Sequence, residues 1–166
     1  MKKSIIASAA MLLSASLLTG CVIHVGDASA LEGSDFSSIL GNIDIAEGKH
    51  AGDISSVNGN VEISDHGGAD EVSIVNGNLE MGSHVSVRNI DIVNGDVSAA
   101  SHLNVLKGVE TVNGNVTLPT QSAIGGSVET VNGDITAVDT TIEKHIKTLI
   151  KKASKMCLKL LEKTRP

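Results

Sequence analysis

A short motif that recurs at almost constant intervals is the feature that most constrains this chain. The motif is Val-Asn-Gly followed by Asn or Asp, and its five copies are separated by 18, 18, 19 and 19 residues. A degenerate first copy, Ile39-Leu40-Gly41-Asn42, lies 18 residues before them. Such a period is typical of repeat proteins, in which each copy is one structural unit stacked on its neighbours. The five Asn-Gly pairs are Asn58 and Gly59, Asn76 and Gly77, Asn94 and Gly95, Asn113 and Gly114, and Asn132 and Gly133.

Apolar residues keep their places within each repeat. They alternate with polar residues, as in Val61-Glu62-Ile63, which is typical of a short, half-buried strand. Such a strand cannot bury its apolar side alone, but equivalent strands stacked about 4.8 Å apart would form a continuous core. We therefore expect an all-β fold, a single-stranded parallel β-helix (β-solenoid) of about six coils. Its apolar columns are Ile43, Val61, Leu79, Val97, Val116 and Ile135; Ile45, Ile63, Met81, Ala99, Leu118 and Ala137; and Ile54, Val72, Ile90, Val109, Val128 and Ile146.

Two alternatives accompany this prediction. Asn-Gly between alternating apolar residues is also a strong hairpin signal, so an antiparallel meander is the competing fold. A meander would not require apolar columns in register around the whole unit. Parallel crossovers favour right-handed winding, which we expect here. Apolar residues six apart, such as Val57, Ile63 and Ala69, resemble instead the hexapeptide pattern of left-handed β-helices.

The Asn-Gly pairs suit the corners of a solenoid. Glycine adopts positive φ freely, and asparagine tolerates it better than most residues. Asparagines stacked at one corner can also form a ladder of side-chain hydrogen bonds. The Asn or Asp that follows each pair, from Asn60 to Asp134, could supply oxygen ligands to calcium. Because the calcium-binding nonapeptide pattern is absent, we interpret this second column as turn chemistry.

Three equally spaced histidines form the best-defined candidate site in the sequence. His66, His84 and His102 are spaced 18 residues apart, so their rings would lie about 5 Å apart on the outside of three adjacent coils. Neutral imidazoles at this spacing could share a transition metal, whereas protonated ones would repel one another. A stacked polar corner without a ligand is the alternative. We name these residues as a candidate metal site, and we predict no cofactor and no catalytic residues.

The start of the chain has the pattern of a secretory signal. Lys2-Lys3 precedes an apolar stretch from Ile5 to Leu18, which is short for a membrane-spanning helix. The stretch ends in Leu18-Thr19-Gly20-Cys21, which resembles the lipobox of bacterial lipoproteins. This resemblance implies cleavage before Cys21 and a covalent lipid on that cysteine. Because Val22 follows in place of an aspartate, the resemblance implies, for a Gram-negative cell, the outer membrane, facing the periplasm or the surface.

The end of the chain changes pattern. Thr140-Thr141-Ile142-Glu143 matches a helix capping box, and apolar residues then recur at helical spacing with lysines on the other side. We expect a basic amphipathic helix over 150–166, starting as early as 141, that caps the last coil. Binding to an anionic membrane or an acidic partner is one alternative. A truncated or frameshifted array is another, because Ile146-Lys147-Thr148-Leu149 still matches Val128-Glu129-Thr130-Val131.

Charge and composition reduce the classes of partner that the chain is expected to bind. Residues 22–141 hold 17 acidic and 3 basic side chains, whereas 142–166 hold 2 acidic and 8 basic ones. An acidic body disfavours nucleic acid and bare anionic membrane as partners. Phe36 is the only aromatic residue of the sequence, so stacking platforms for single-stranded nucleic acid are lacking. We expect membrane contact through the lipid, contacts with envelope proteins or surface polymers, and no nucleic acid.

Over residues 39–149 the Val-x-Gly-[Asp/Asn] units resemble an adhesin-type repeat family of bacterial envelope proteins and, more distantly, bactofilin-type solenoids. The resemblance implies a structural or adhesive module without catalytic residues. The expected organisation is a signal peptide at 1–20, a linker or cap at 21–38, the solenoid at 39–149 and the basic helix at 150–166. A periplasmic metal- or ligand-binding stress protein is the alternative function, followed by a β-helix acyltransferase or polysaccharide lyase.

Overall fold

Parallel strands stacked in register build the part of the chain that the structure describes. The structure is a computed structural model, and it describes residues 23–25 and 33–148 of the 166 in the sequence. Its strands form two sheets, and all sixteen strand pairs are parallel. The predicted parallel β-solenoid of about six coils is therefore confirmed, and the antiparallel meander is excluded.

The first sheet takes one strand from each coil, directly after the Asn-Gly pair. Partners are 18 or 19 residues apart, as in Val61 with Leu79 and Val97 with Val116. In the strands that begin at Val61, Leu79 and Val116, the first and third residues are buried and the second is exposed. In spatial order, with strands numbered along the chain, the sheet contains β1 (Ile23–Val25), β3 (Ile43–Ile45), β6 (Val61–Ile63), β8 (Leu79–Ser83), β10 (Val97–Ser101), β13 (Val116–Leu118) and β16 (Ile135–Ala137).

The second sheet holds two strand columns side by side. Two nine-residue strands of the central coils, β7 (Gly68–Asn76) and β9 (Ser86–Asn94), run through both columns. One column is completed by β4 (His50–Ala51), β11 (Asn104–Val105), β14 (Ser122–Ile124) and β17 (Thr140–Ile142). The other column, which leads into the Asn-Gly pairs, is completed by β2 (Phe36–Leu40), β5 (Ile54–Asn58), β12 (Val109–Asn113), β15 (Val128–Asn132) and β18 (Ile146–Thr148).

The predicted apolar columns form the core of the solenoid. In the inner coils their members other than Ala99 are almost fully buried, and each buried Val, Leu or Ile contributes about 1.5–3 kcal/mol. In the last coil Ile135, Ala137 and Ile142 are only partly buried, since they have a neighbouring coil on one side. A further buried column, which we did not predict as one of the apolar columns, consists of Ala51, Ala69, Val87, Val105 and Ile124.

The expected helix start near residue 141 is wrong. Thr140–Ile142 forms a strand paired with Ser122–Ile124, and Ile146–Thr148 pairs with the start of β15. The repeat overrides the capping-box pattern here, because parallel pairing satisfies the backbone of these residues and brings Ile142 next to buried Ile124. The helix expected over 150–166 lies outside the described residues.

The solenoid begins close to the predicted lipidation site. Strand β1 pairs with β3 in the register Ile23 to Ile43, within the region that we interpreted as a linker or cap. It extends the first sheet by one strand beyond the first complete coil. Among the described residues, no helix has the length and apolar character needed to cross a membrane.

Candidate functional site

The Asn-Gly corner is a continuous ladder of side-chain hydrogen bonds, as the sequence predicts. Each asparagine amide nitrogen donates to the side-chain oxygen of the asparagine in the preceding coil. The donor–acceptor distances are 3.1 Å for Asn76 to Asn58, 2.9 Å for Asn94 to Asn76, 2.7 Å for Asn113 to Asn94 and 2.8 Å for Asn132 to Asn113. The ladder ties five successive coils together on the outer surface.

Glycine is required at this corner mainly by the close approach of neighbouring coils. A Cβ atom built on Gly95 would lie 1.9 Å from the carbonyl oxygen of Gly77, and one on Gly114 would lie 1.9 Å from that of Gly95. Positive φ, which we expected of the pair, does not account for it: none of the paired asparagines has positive φ, and of the paired glycines only Gly77 and Gly95 do, at 158° and 157°, close to extended backbone. Backbone proximity therefore explains the strict Asn-Gly repeat better than turn conformation does.

Buried hydroxyl groups complete the same corner. Ser56 donates to the carbonyl oxygen of Gly59 at 2.9 Å, and Thr130 donates to that of Gly114 at 3.1 Å. These residues could not be recognised from the sequence, because Ile74 and Ile92 occupy the same column in two coils and hide its polar character. Within the described residues, every buried side-chain N or O atom has a hydrogen-bond partner.

The Asn/Asp column that follows the glycines serves the backbone. The side-chain oxygen of Asn78 accepts from the backbone N–H of Asp96 at 3.0 Å, and that of Asp96 accepts from Asn115 at 2.6 Å. The same bond recurs between Asn42 and Asn60 and between Asn115 and Asp134. This arrangement fits the interpretation as turn chemistry, because the oxygens that a calcium ion would need already accept backbone hydrogen bonds.

The three candidate histidines are brought together at a second corner. Their ring centroids are 4.8 Å apart for His66 and His84 and 4.3 Å apart for His84 and His102, with ring planes within 16° of parallel. All three residues have left-handed backbone conformation, with φ of 57°, 59° and 51°. Gly48, Gln121 and Asp139 occupy equivalent places in other coils, also with positive φ.

Face-to-face stacking bears on the metal hypothesis. The lone pairs of an imidazole lie in the ring plane, so three parallel rings direct them in parallel planes and not toward one point. In the described part of the chain, no group of three or more His, Cys, Asp or Glu side chains is arranged to hold a metal ion. His102 Nδ1 instead lies 3.1 Å from the hydroxyl oxygen of Ser101. Metal binding at His66, His84 and His102 stays a prediction.

A shallow apolar groove runs along the outside of the second sheet, beside the Asn ladder. We define this valine groove by Val57, Val75, Val93, Val112 and Val131, and its volume is about 520 Å³. The first four valines are 40–42% exposed, because strand alternation turns them outward. In the sequence these valines stand out only as part of the repeat motif and of the six-residue apolar spacing. The signal that could have found the groove is their position three residues after a buried apolar column.

Carboxylates line one side of the valine groove. Asp91, Glu110 and Glu129 each lie two residues before a groove valine. Burial is the main cause that raises the pKa of Asp91, and the charge of Glu71 adds to it, whereas the hydrogen bond from Asn89 opposes it. Glu129 is 3.3 Å from His145 and 3.8 Å from Lys147. Basic residues of the last coil therefore already meet the end of this acidic row.

The remaining predicted site residue, Cys21, lies outside the described residues, as does Cys157. The chain matches no family model, no curated protein and no solved structure. The adhesin-type resemblance of the repeats therefore stays a prediction.

Proposed function

We propose that this chain is a lipid-anchored protein of the bacterial cell envelope whose β-solenoid acts as a structural or adhesive rod. The observation that carries the proposal is the closeness of the lipobox to the rod. Cys21 precedes by only two residues the strand Ile23–Val25, which pairs with Ile43–Ile45 of the first coil. A lipid on Cys21 would hold the end of the rod against the membrane without a long linker.

The use of polar side chains supports a structural role. At the Asn-Gly corner the repeated asparagines bond to one another, and the next column bonds to backbone N–H groups. These side chains stabilise the stacking of coils and are not gathered into a cleft. Six coils at about 4.8 Å each make a rod roughly 30 Å long, which presents long, even faces to a protein or polymer.

Metabolic labelling with an alkyne-bearing palmitate analogue tests the anchor. The parent chain and the matched variant Cys157→Ser should incorporate the label and fractionate with membranes, whereas Cys21→Ser should do neither. Label on the Cys21→Ser variant, or none on the parent chain, would refute the anchor.

The structural or adhesive role is tested in the native bacterium. A deletion strain should lose envelope integrity or surface attachment, the parent gene should restore it, and the Cys21→Ser variant should not. Normal integrity, attachment and biofilm formation in the deletion strain would refute this role.

A second candidate function is metal binding in the envelope, and the stack of His66, His84 and His102 is the observation that favours it. Calorimetric titration with zinc should then release heat that the His84→Ala variant lacks. Equal heats from the two proteins would exclude the site.

A further inference from the structure

The valine groove is an apolar surface that the described residues leave uncovered. Its valines align along the solenoid axis, since Val57, Val75 and Val93 each directly precede stacked asparagines of the ladder. Scattered exposed apolar residues are ordinary, but a contiguous apolar stripe in a groove marks an interaction site. Its occupant should be apolar on one side and basic overall, because Asp91, Glu110 and Glu129 lie along the groove.

The groove ends where the C-terminal segment begins. Thr148, the last residue of β18, pairs with Thr130, which lines the groove. Leu149 then occupies in sequence the place that Val131 occupies one coil earlier. Thr148 therefore brings the chain to the coil directly after that of Val131, the last groove valine.

The composition of this segment matches the groove. Residues 150–166 contain five lysines and one arginine against a single acidic residue, Glu162. Their apolar residues recur at helical spacing, at Ile150, Ala153, Cys157, Leu160 and Leu161. As a helix the segment would be about 25 Å long. The five coil steps from the coil of Thr148 back to that of Val57 span about 24 Å, so the lengths agree.

We propose that residues 150–166 dock as an amphipathic helix along the valine groove, running from Val131 toward Val57 with their apolar side against the valines. Lysines face away from the apolar stripe and along its flanks, where their long stems reach the carboxylate row. The docked segment covers the side of the rod and shields the valines from other partners. This inference does not depend on the anchor or on the adhesive role.

Disulfide trapping with the native Cys157 tests the proposal. Seven residues of helix from Ile150 advance about 10 Å, which equals two coil steps back from the coil of Thr148 and brings Cys157 beside Val112. The full chain with Cys21→Ser keeps Cys157 as its only native thiol. In that background we compare Val112→Cys with Val57→Cys, which is equally exposed in the same groove but lies three coil steps further along it. A third variant, Thr136→Cys, reports on the exposed end coil in β16.

Under mild oxidation the Val112→Cys variant should form an intramolecular disulfide about tenfold faster than Val57→Cys or Thr136→Cys, because docking raises the effective thiol concentration. Raising the salt concentration should slow disulfide formation, because salt screens the attraction between the acidic row and the basic segment. Each reduced variant must unfold at the parent's midpoint, which shows that the solenoid is intact.

Two results would overturn docking in the groove. Faster reaction with Thr136→Cys would mean that the segment caps the end coil, and equal or faster reaction with Val57→Cys would contradict the docked helix. No disulfide in any variant, with helical circular dichroism that appears only on adding vesicles of anionic phospholipid, would mean that the segment binds membranes instead.

Discussion

The Asn-Gly corner and the histidine corner solve the same geometric problem with very different sequences. Each turns the chain once per coil of 18 or 19 residues. The first uses Asn-Gly in five successive coils. The second accepts Gly, His, Gln and Asp, all with positive φ: Gly48, His66, His84, His102, Gln121 and Asp139.

The difference shows which constraint makes a repeat strict. At the Asn-Gly corner the backbones of adjacent coils approach so closely that a Cβ on Gly95 would overlap Gly77. At the histidine corner a Cβ on Gly48 would meet nothing within 4 Å, and left-handed backbone alone costs a side chain about 1–2 kcal/mol. Steric exclusion fixes the residue type, whereas a conformational preference only biases it.

The largest effect should come from adding one methyl group at the strict corner. Gly95→Ala places Cβ against the Gly77 carbonyl, so two coils must separate and the free energy of unfolding should fall by about 3 kcal/mol or more. Gly48→Ala, in open space with a φ of 68°, should cost only about 1 kcal/mol. Urea unfolding of both variants measures this. Equal losses would mean that close approach is not the distinction between the corners.

The asparagine ladder should contribute less than the glycine contact. Asn94→Ala removes the bonds to Asn76 and from Asn113, both on the exposed surface, and should lower the free energy of unfolding by about 1 kcal/mol. Ser98→Ala, on the outer side of β10, should change it by less than about 0.5 kcal/mol. If the two variants unfold at the same urea concentration, the ladder adds nothing to stability.

At the histidine corner, the stability of the protein should depend more on the backbone conformation of residue 84 than on its imidazole ring. Both His84→Gly and His84→Ala remove the stacking with His66 and His102. Only glycine also relieves the left-handed conformation, at an entropic cost in the unfolded chain, so His84→Gly should be the more stable variant by about 1 kcal/mol. Thermal unfolding compares them, and a more stable alanine variant would contradict the assignment of strain to this corner.

The smallest effect concerns Asp91, on the strand that joins the two corners. Burial raises the pKa of this carboxyl group, so the folded protein binds its proton more tightly than the unfolded chain does. The ionised group therefore destabilises the fold. This penalty is absent in acid and appears as pH rises through the raised pKa. Asp91→Asn should raise the unfolding midpoint at pH 7 and leave it nearly unchanged at pH 3. A lower midpoint at pH 7 would mean that the carboxylate is stabilising.

The fold could be predicted because its signal is repeated. Six copies of a weak alternation, such as Val61-Glu62-Ile63, place every apolar column in register, and the strand pairs follow the same 18- and 19-residue offsets. The helix start at Thr140–Glu143 failed for the opposite reason. A four-residue pattern without repetition had to compete with a continuing repeat that offered backbone pairing.

The candidate sites were predicted only in part. Equal spacing was sufficient to bring His66, His84 and His102 together, since stacking converts sequence period directly into proximity. Their parallel ring planes could not be predicted, because they depend on side-chain rotation. The valine groove was missed because its valines share a motif with the Asn-Gly corner, and the sequence alone does not separate a turn residue from an outward strand residue.

Spin-label distances along one column test most directly the claim that equivalent residues lie over one another in successive coils. Both native cysteines are replaced by serine, and spin labels are attached in pairs at outward positions of the first sheet. One label is always at Glu62→Cys, and the second is at Glu80→Cys, Ser98→Cys, Thr117→Cys or Thr136→Cys in turn. The register predicts separations that grow by about 4.8 Å per coil, to about 19 Å for Glu62 and Thr136. If consecutive strands lay side by side without stacking into coils, the separation would grow by two or more strand spacings per repeat. That result would contradict the solenoid.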